Sequence, residues 1–265
     1  MGKVFDALEK HKRGKLIRTN RLGSRDVPQA PLAQGFPFQN AFTPKLIVYS
    51  APDSIDAENF KVLRSQILYP KSGRRPRTLM ITSAFPSEGK TFVAANLAAS
   101  IAMGIHERVL LVDCDFRRPN LHNMLGYSNT QGLYDYLTAK RPLSELVLGT
   151  TIEKLSLLTA GSPDPDGPEL LSSTKMKAFL QDATGSHHDT YVIVDTAPSH
   201  VASEVGVLSN HVDGIVYVVM AGKAPRETIQ KNIEDLGKGK ILGIVFNGYA
   251  QSHDAYHKYY GEYYK

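Results

Sequence analysis

The chain has 265 residues, of which 42% are hydrophobic and 22% charged, with a formal net charge of +5 and a single cysteine, Cys114. That is the composition of a globular protein, and it excludes wholesale disorder and a disulfide-stapled scaffold. One thiol fits a reducing compartment. No apolar run approaches the ~18–20 residues of a membrane span, and the opening MGKVFDALEK lacks the apolar core of a signal peptide, so a soluble cytoplasmic protein is predicted.

Residues 1–25 hold eight lysines and arginines (Lys3, Lys10, Lys12, Arg13, Lys15, Arg18, Arg21 and Arg25) against Asp6 and Glu9, which leaves the remainder of the chain almost neutral. Val4, Phe5 and Leu8 share one face of a short predicted helix within this basic stretch. Two readings stay open for it: docking onto an acidic partner or an anionic membrane surface, or a solvated terminus. A near-neutral body argues against nucleic acid as a partner. From Leu22 to Pro52 five prolines and the lack of helical periodicity predict an extended linker, or an arm lying along the body. A helix is expected from Ser54 to Tyr69, stopped by Pro70, with Glu58, Lys61 and Arg64 along one flank.

A strand is predicted at Thr78–Ser83, then a loop, then a helix through about Met103. The loop reads Ala84, Phe85, Pro86, Ser87, Glu88, Gly89, Lys90, Thr91, and Phe92 follows. Strand, Gly-Lys-Thr loop and helix form the context of a phosphate-binding P-loop. Backbone N–H groups and the helix N-terminus point at nucleotide phosphates. Lys90 reaches the outer phosphates, the Thr91 hydroxyl ligates Mg²⁺, and Gly89 lets the backbone approach closely. Ala84 stands where the usual motif has its first glycine.

A second motif, VLLVDCDFRRP from Val109 to Pro119, is an apolar strand that delivers Asp113 and Asp115 at its carboxyl end. Spacing two puts both carboxylates on one face, toward the phosphate loop. A third strand, from Tyr191, ends in Asp195, the position of a Walker-B type Mg²⁺ ligand. Each acid also has a local alternative as a helix N-cap or turn residue. Further strands are expected at Leu155–Thr159, Gly214–Met220 and Ile241–Phe246. The alternation predicts an α/β fold with a mostly parallel, doubly wound sheet. Asn247, just past the last strand, is expected either to meet a base edge or to serve as a turn residue. His187, His188 and Asp189 are predicted to form a surface loop, and Cys114 to be a small buried hydrophobe.

Six of the chain's 13 tyrosines lie between Tyr249 and Lys265: Tyr249, Tyr256, Tyr259, Tyr260, Tyr263 and Tyr264. Their neighbours are polar, so the segment is not a core element. As phosphate acceptors, each would add about −1.5 to −2 charges. The expected organisation is a basic and proline-rich segment at 1–53, a P-loop domain at 54–248 and a tyrosine tail at 249–265.

These motifs, AFPSEGKT, VLLVDCDFRRP and VIVDTAP together with the tyrosine cluster, resemble the bacterial tyrosine kinases, P-loop autokinases of polysaccharide synthesis and export with a MinD/ParA-like architecture. The resemblance implies ATP and Mg²⁺ as cofactors, with Lys90 and Thr91 on phosphates and metal and Asp115 and Asp195 near the metal. Asp113 would orient the proton of the attacking tyrosine. The acceptors would be Tyr256, Tyr259, Tyr260, Tyr263 and Tyr264. The segment 160–171 is similar to the family's proline-containing loop. Glu58, Lys61 and Arg64 resemble an E-x-x-R-x-x-R oligomerisation motif in which lysine replaces the first arginine and forfeits its forked pairing. Implied partners are further copies of the chain in a ring, a cognate tyrosine phosphatase, and a membrane-anchored activator of the polysaccharide co-polymerase type. That activator would hold the protein at the inner face of the membrane. The rival is a MinD/ParA-like partner-switching ATPase, whose signature lysine is replaced here by Phe85. A catalytically silent nucleotide-binding adaptor is a third reading.

Overall fold

Apolar runs too hydrophobic to leave in water assemble here into a seven-stranded sheet. The computed structural model describes residues 45–71, 73–162, 167–185 and 189–249. Its strands are β1 (Thr78–Ser83), β2 (Arg108–Asp113), β3 (Leu148–Gly149), β4 (Leu155–Leu158), β5 (Thr190–Asp195), β6 (Gly214–Met220) and β7 (Ile241–Asn247). The spatial order is β3-β4-β2-β5-β1-β6-β7. All neighbours pair in parallel except β3, which adds to the edge antiparallel to β4. The doubly wound α/β architecture expected from the alternation is thus present. The two-residue β3 was not foreseen, since so short a strand carries no period to read.

Strand side chains alternate between two cores, as a period of two requires. Leu79, Ile81, Leu111, Ile193, Val216 and Val218 enter the first, whereas Met80, Val112, Val192, Val194, Ile215 and Tyr217 enter the second. The first core is covered by α1 (Ile47–Ser50), α2 (Ile55–Leu68) and α3 (Lys90–Ala102). Five alanines in α3, all buried, combine strong helix propensity with a slim profile that lets the helix lie close on the sheet. α2 starts where the Ser54 hydroxyl accepts from the Ala57 N–H at 3.1 Å, with Asp56 and Glu58 in its first turn favourable to the helix dipole. It ends at Leu68, just before Pro70, and Phe60 meets Phe92 edge-on at 5.9 Å.

One expectation for the arm is corrected. Its last residues are not extended: Ile47–Ser50 make a helical turn, with Leu46 and Val48 buried in the first core. Burial of two aliphatic side chains outweighs the weak local signal. Cys114 is buried, as expected.

The strand order positions the site. β5 is inserted between β1 and β2, so Asp195 lies in register with Ile81 on one side and Asp113 on the other. The phosphate loop leaves the same carboxyl edge, where ligands bind in open α/β sheets.

Candidate active site

β1 ends at Ser83, whose hydroxyl donates to the Phe85 carbonyl at 2.9 Å. The loop then turns through Ser87 and Gly89, with φ of 60° and 93°. Gly89 is obligatory twice over. Its φ is left-handed, and a Cβ there would lie 2.0 Å from Asn247 Nδ2. Asn247 uses that space to donate from Nδ2 to the Glu88 carbonyl at 2.9 Å. Asn247, read as either a base-edge contact or a turn residue, thus also ties the end of the last strand to the phosphate loop. Ala84 is fully buried and offers the cavity no side chain. Phe85 stacks edge-on against His200 at 5.3 Å. Glu88, expected among nucleotide contacts, turns inward and is fully buried.

A cavity of about 790 Å³ opens above the loop, lined among others by Ser87, Gly89, Lys90, Thr91, Asp115 and Arg118. Lys45, near the end of the arm, also lines it, a contribution that the proline-rich arm gave no reason to expect. Lys90 Nζ lies 3.3 Å from Asp115 Oδ2. Asp115 Oδ1 accepts from the Arg118 N–H at 3.0 Å. Arg117 makes a forked pair with Glu204, Nε to Oε1 at 2.8 Å and Nη2 to Oε2 at 3.3 Å, which ties the segment after β2 to α4 (Ser203–Ser209). Glu204 carried no motif, and its 87-residue separation from Arg117 hid the pair.

The two aspartates of the second motif part company. Asp115 faces the cavity. Asp113 is fully buried and accepts from the Asp115 N–H through Oδ1, and from the Asn120 and Leu121 N–H groups through Oδ2, each at 3.1 Å. Both carboxylates were expected to face the phosphate loop. The chain instead folds back after β2 and brings the N-terminus of the short helix Leu121–Leu125, whose N-cap is Asn120, onto Asp113. Burial pushes its carboxyl up to about 7; the three amides pull the other way and the Asp115 charge adds to the rise.

Asp195 is 1% exposed, and neither of its oxygens has a hydrogen-bond partner. Burial raises its pKa well above the carboxylate range, the Asp113 charge adds to this, and Lys90 and the Thr91 hydroxyl oppose it. An orphaned buried carboxylate beside a threonine hydroxyl is a donor set that suits a hard cation. Among the described residues no group of three or more His, Cys, Asp or Glu could hold a metal alone. A cation held here would need the rest of its ligands from outside the protein, which suits Mg²⁺ beside a bound polyphosphate.

The comparisons with known proteins decide the family. Residues 79–264 match the CobQ/CobB/MinD/ParA nucleotide binding domain. Tyrosine-protein kinase YwqD of Bacillus subtilis (strain 168) is 35% identical over 218 residues, 82% of this chain and 91% of that protein. The chain belongs to the bacterial tyrosine kinase family. The solved kinase domain of Escherichia coli tyrosine kinase ETK superposes with a TM-score of 0.73 at 28% identity, over 83% of this chain and 85% of that one. Succinoglycan biosynthesis transport protein ExoP of Rhizobium meliloti (strain 1021) is 31% identical over 233 residues, 82% of this chain but 29% of that protein.

Lys61 Nζ pairs with Glu58 Oε2 of the same helix at 3.0 Å. Arg64 on α2 donates from Nη1 to the Ser100 carbonyl on α3 at 2.8 Å. Residues 163–166 of the proline-containing loop, His187, His188, the basic N-terminal residues and the tail tyrosines from Tyr256 onward lie outside the described residues. No helix among the described residues is long and apolar enough to cross a membrane.

Proposed function

We propose that the chain is an ATP-dependent autokinase that phosphorylates the tyrosines of its own C-terminal cluster, Tyr256, Tyr259, Tyr260, Tyr263 and Tyr264, and thereby regulates synthesis or export of an extracellular polysaccharide. The observation that carries this reading is the convergence of Lys90, Thr91 and Asp115 on one cavity, with the buried Asp195 acting on Lys90 and Thr91 from behind, in a chain that carries a tyrosine cluster at 249–265. Loop amides and Lys90 bind the polyphosphate, a preorganised cradle for charge. Thr91 and Asp195 are the residues that would hold Mg²⁺, which when bound neutralises phosphate charge. Asp115 faces the cavity and orients the acceptor phenol. Asp113 stands behind it and acts as a positioning residue through the Asp115 N–H. A carboxylate is a weak base for a phenol, but the proton leaves late in a loose phosphoryl-transfer transition state, so orientation counts for more than basicity.

The polysaccharide role draws support from the likeness to ExoP, and a membrane-anchored activator, a homo-oligomeric ring and a cognate phosphatase belong to the same proposal. The alternative, a MinD/ParA-like ATPase that switches partners, predicts turnover of ATP without phosphotyrosine.

Peptide-resolved mass spectrometry separates the two. Wild type and Lys90→Met are incubated with ATP and Mg²⁺, beside a phosphatase-treated control. Phosphate on residues 249–265 of the wild type, absent from the variant, supports the autokinase. ATP hydrolysis with an unmodified tail, also after addition of an activator chain, overturns it.

A further inference from the structure

Glu88 is a fully buried carboxylate inside the phosphate loop, and the chemistry proposed above does not use it. Its Oε2 accepts from the Phe85 N–H at 2.7 Å, at the start of the loop. Its Oε1 accepts from the Met220 N–H at 3.4 Å, at the end of β6. A carboxylate offers only acceptors, and here each oxygen is spent on a backbone donor. The Glu88 carbonyl receives Asn247 Nδ2 from the end of β7. Lys223, in the turn after β6, donates from Nζ to the Pro86 carbonyl at 2.5 Å, and the Ala221 N–H donates to the Asn247 carbonyl at 2.9 Å. The loop is thus strapped to the ends of two strands, and the Glu88 side chain binds both the loop and β6.

We infer that Glu88 is a positioning residue that holds the phosphate loop in its nucleotide-binding shape before nucleotide arrives, with Asn247 and Lys223 as its auxiliary ties. This rests on the reading of the cavity as an ATP site. The reason is entropic. A P-loop binds phosphate through amides that must point inward together, and a slack loop would have to be ordered at the cost of binding energy. The buried carboxylate orders it in advance, and it does so from beneath without touching the ligand.

The test is titration of the full chain with ATP and Mg²⁺, for wild type and Glu88→Gln, by calorimetry. Glutamine keeps the shape but replaces one acceptor with an NH₂ that faces a backbone N–H, so ATP affinity should fall about tenfold. In phosphorylation assays KM for ATP should rise more than kcat falls, a split that a general loss of stability would not produce. Affinity within twofold of wild type would overturn the inference. As a measurement independent of the variant's folding, the Phe85 and Met220 amides of nucleotide-free wild type should be strongly protected from hydrogen exchange. Rapid exchange at both would overturn the inference as well. Wild type that fails to bind ATP would instead overturn the reading of the site.

Discussion

Lys90 and Asp115 are a largely buried ion pair at the wall of the cavity, with Nζ to Oδ2 at 3.3 Å and side-chain exposures of 11% and 6%. Each charge is the main compensation for the other, so removing one strands its partner. Asp115→Ala should destabilise the nucleotide-free protein by about 3 kcal/mol. Lys90→Met/Asp115→Ala should cost clearly less than the two single changes added together. Urea unfolding of the four proteins measures the coupling, and strict additivity would show that the pair is not a unit.

Asp195 makes the opposite case. Its two oxygens lack well-formed hydrogen bonds, and Lys90 and the Thr91 hydroxyl offset its burial only in part, so the carboxylate costs stability when no cation is bound. Asp195→Asn should raise nucleotide-free stability by about 1–2 kcal/mol, while the added stabilisation by ATP and Mg²⁺ is lost. Thermal unfolding with and without ATP and Mg²⁺ reads both effects in one experiment. A variant less stable than wild type without ligand would contradict the assignment.

At the other end of the sheet, Asp213 Oδ2 accepts from the Arg77 and Thr78 N–H groups at 2.8 and 2.9 Å. Burial acts to raise its pKa, but those amides, the Thr78 hydroxyl and the Arg74 charge together leave it below the usual carboxylate value. A depressed folded pKa means stability that is present above the unfolded pKa and lost as pH falls through the folded one. Asp213→Asn should therefore cost about 0.5–1 kcal/mol at neutral pH, a small figure because the group is exposed and screened by water. The difference from wild type should persist through the ordinary carboxylate range and shrink only as pH falls below it, which urea titrations from pH 7 to progressively lower pH would test.

On α2 the two basic residues should behave unlike each other. Lys61 holds an exposed i,i+3 pair with Glu58, so Lys61→Ala should change stability by less than about 0.5 kcal/mol. Arg64 bonds the Ser100 carbonyl of the neighbouring helix, and Arg64→Ala should cost about 1–2 kcal/mol. Unfolding curves check both values. Sedimentation of the same variants asks whether either residue also joins subunits. A mass shift in Lys61→Ala without a stability change would assign the flank to assembly.

Features that depend on near neighbours were legible in the residues. β1 occupies Thr78–Ser83 as predicted, because an apolar run next to a glycine-lysine loop has few alternatives. Ser54 and Pro70 bound α2 for equally local reasons, a side-chain cap and a missing N–H. The doubly wound class followed from the alternation of such segments. The side-chain directions that shape the site were not legible. Glu88 and Lys90 are two residues apart where the loop enters α3, yet one is buried against the end of β6 and the other lines the cavity. Asp113 and Asp115 share a strand parity, but the chain turns after β2 and gives the first to helix amides and the second to Lys90. Asn247 reaches Glu88 across 159 residues, and Arg64 reaches Ser100 across 36. Hydropathy patterns report whether a side chain prefers water, and propensities report how the backbone bends. Neither reports which buried donor waits at the far end of another strand, and that follows from strand order and the demand that every buried polar group find a partner.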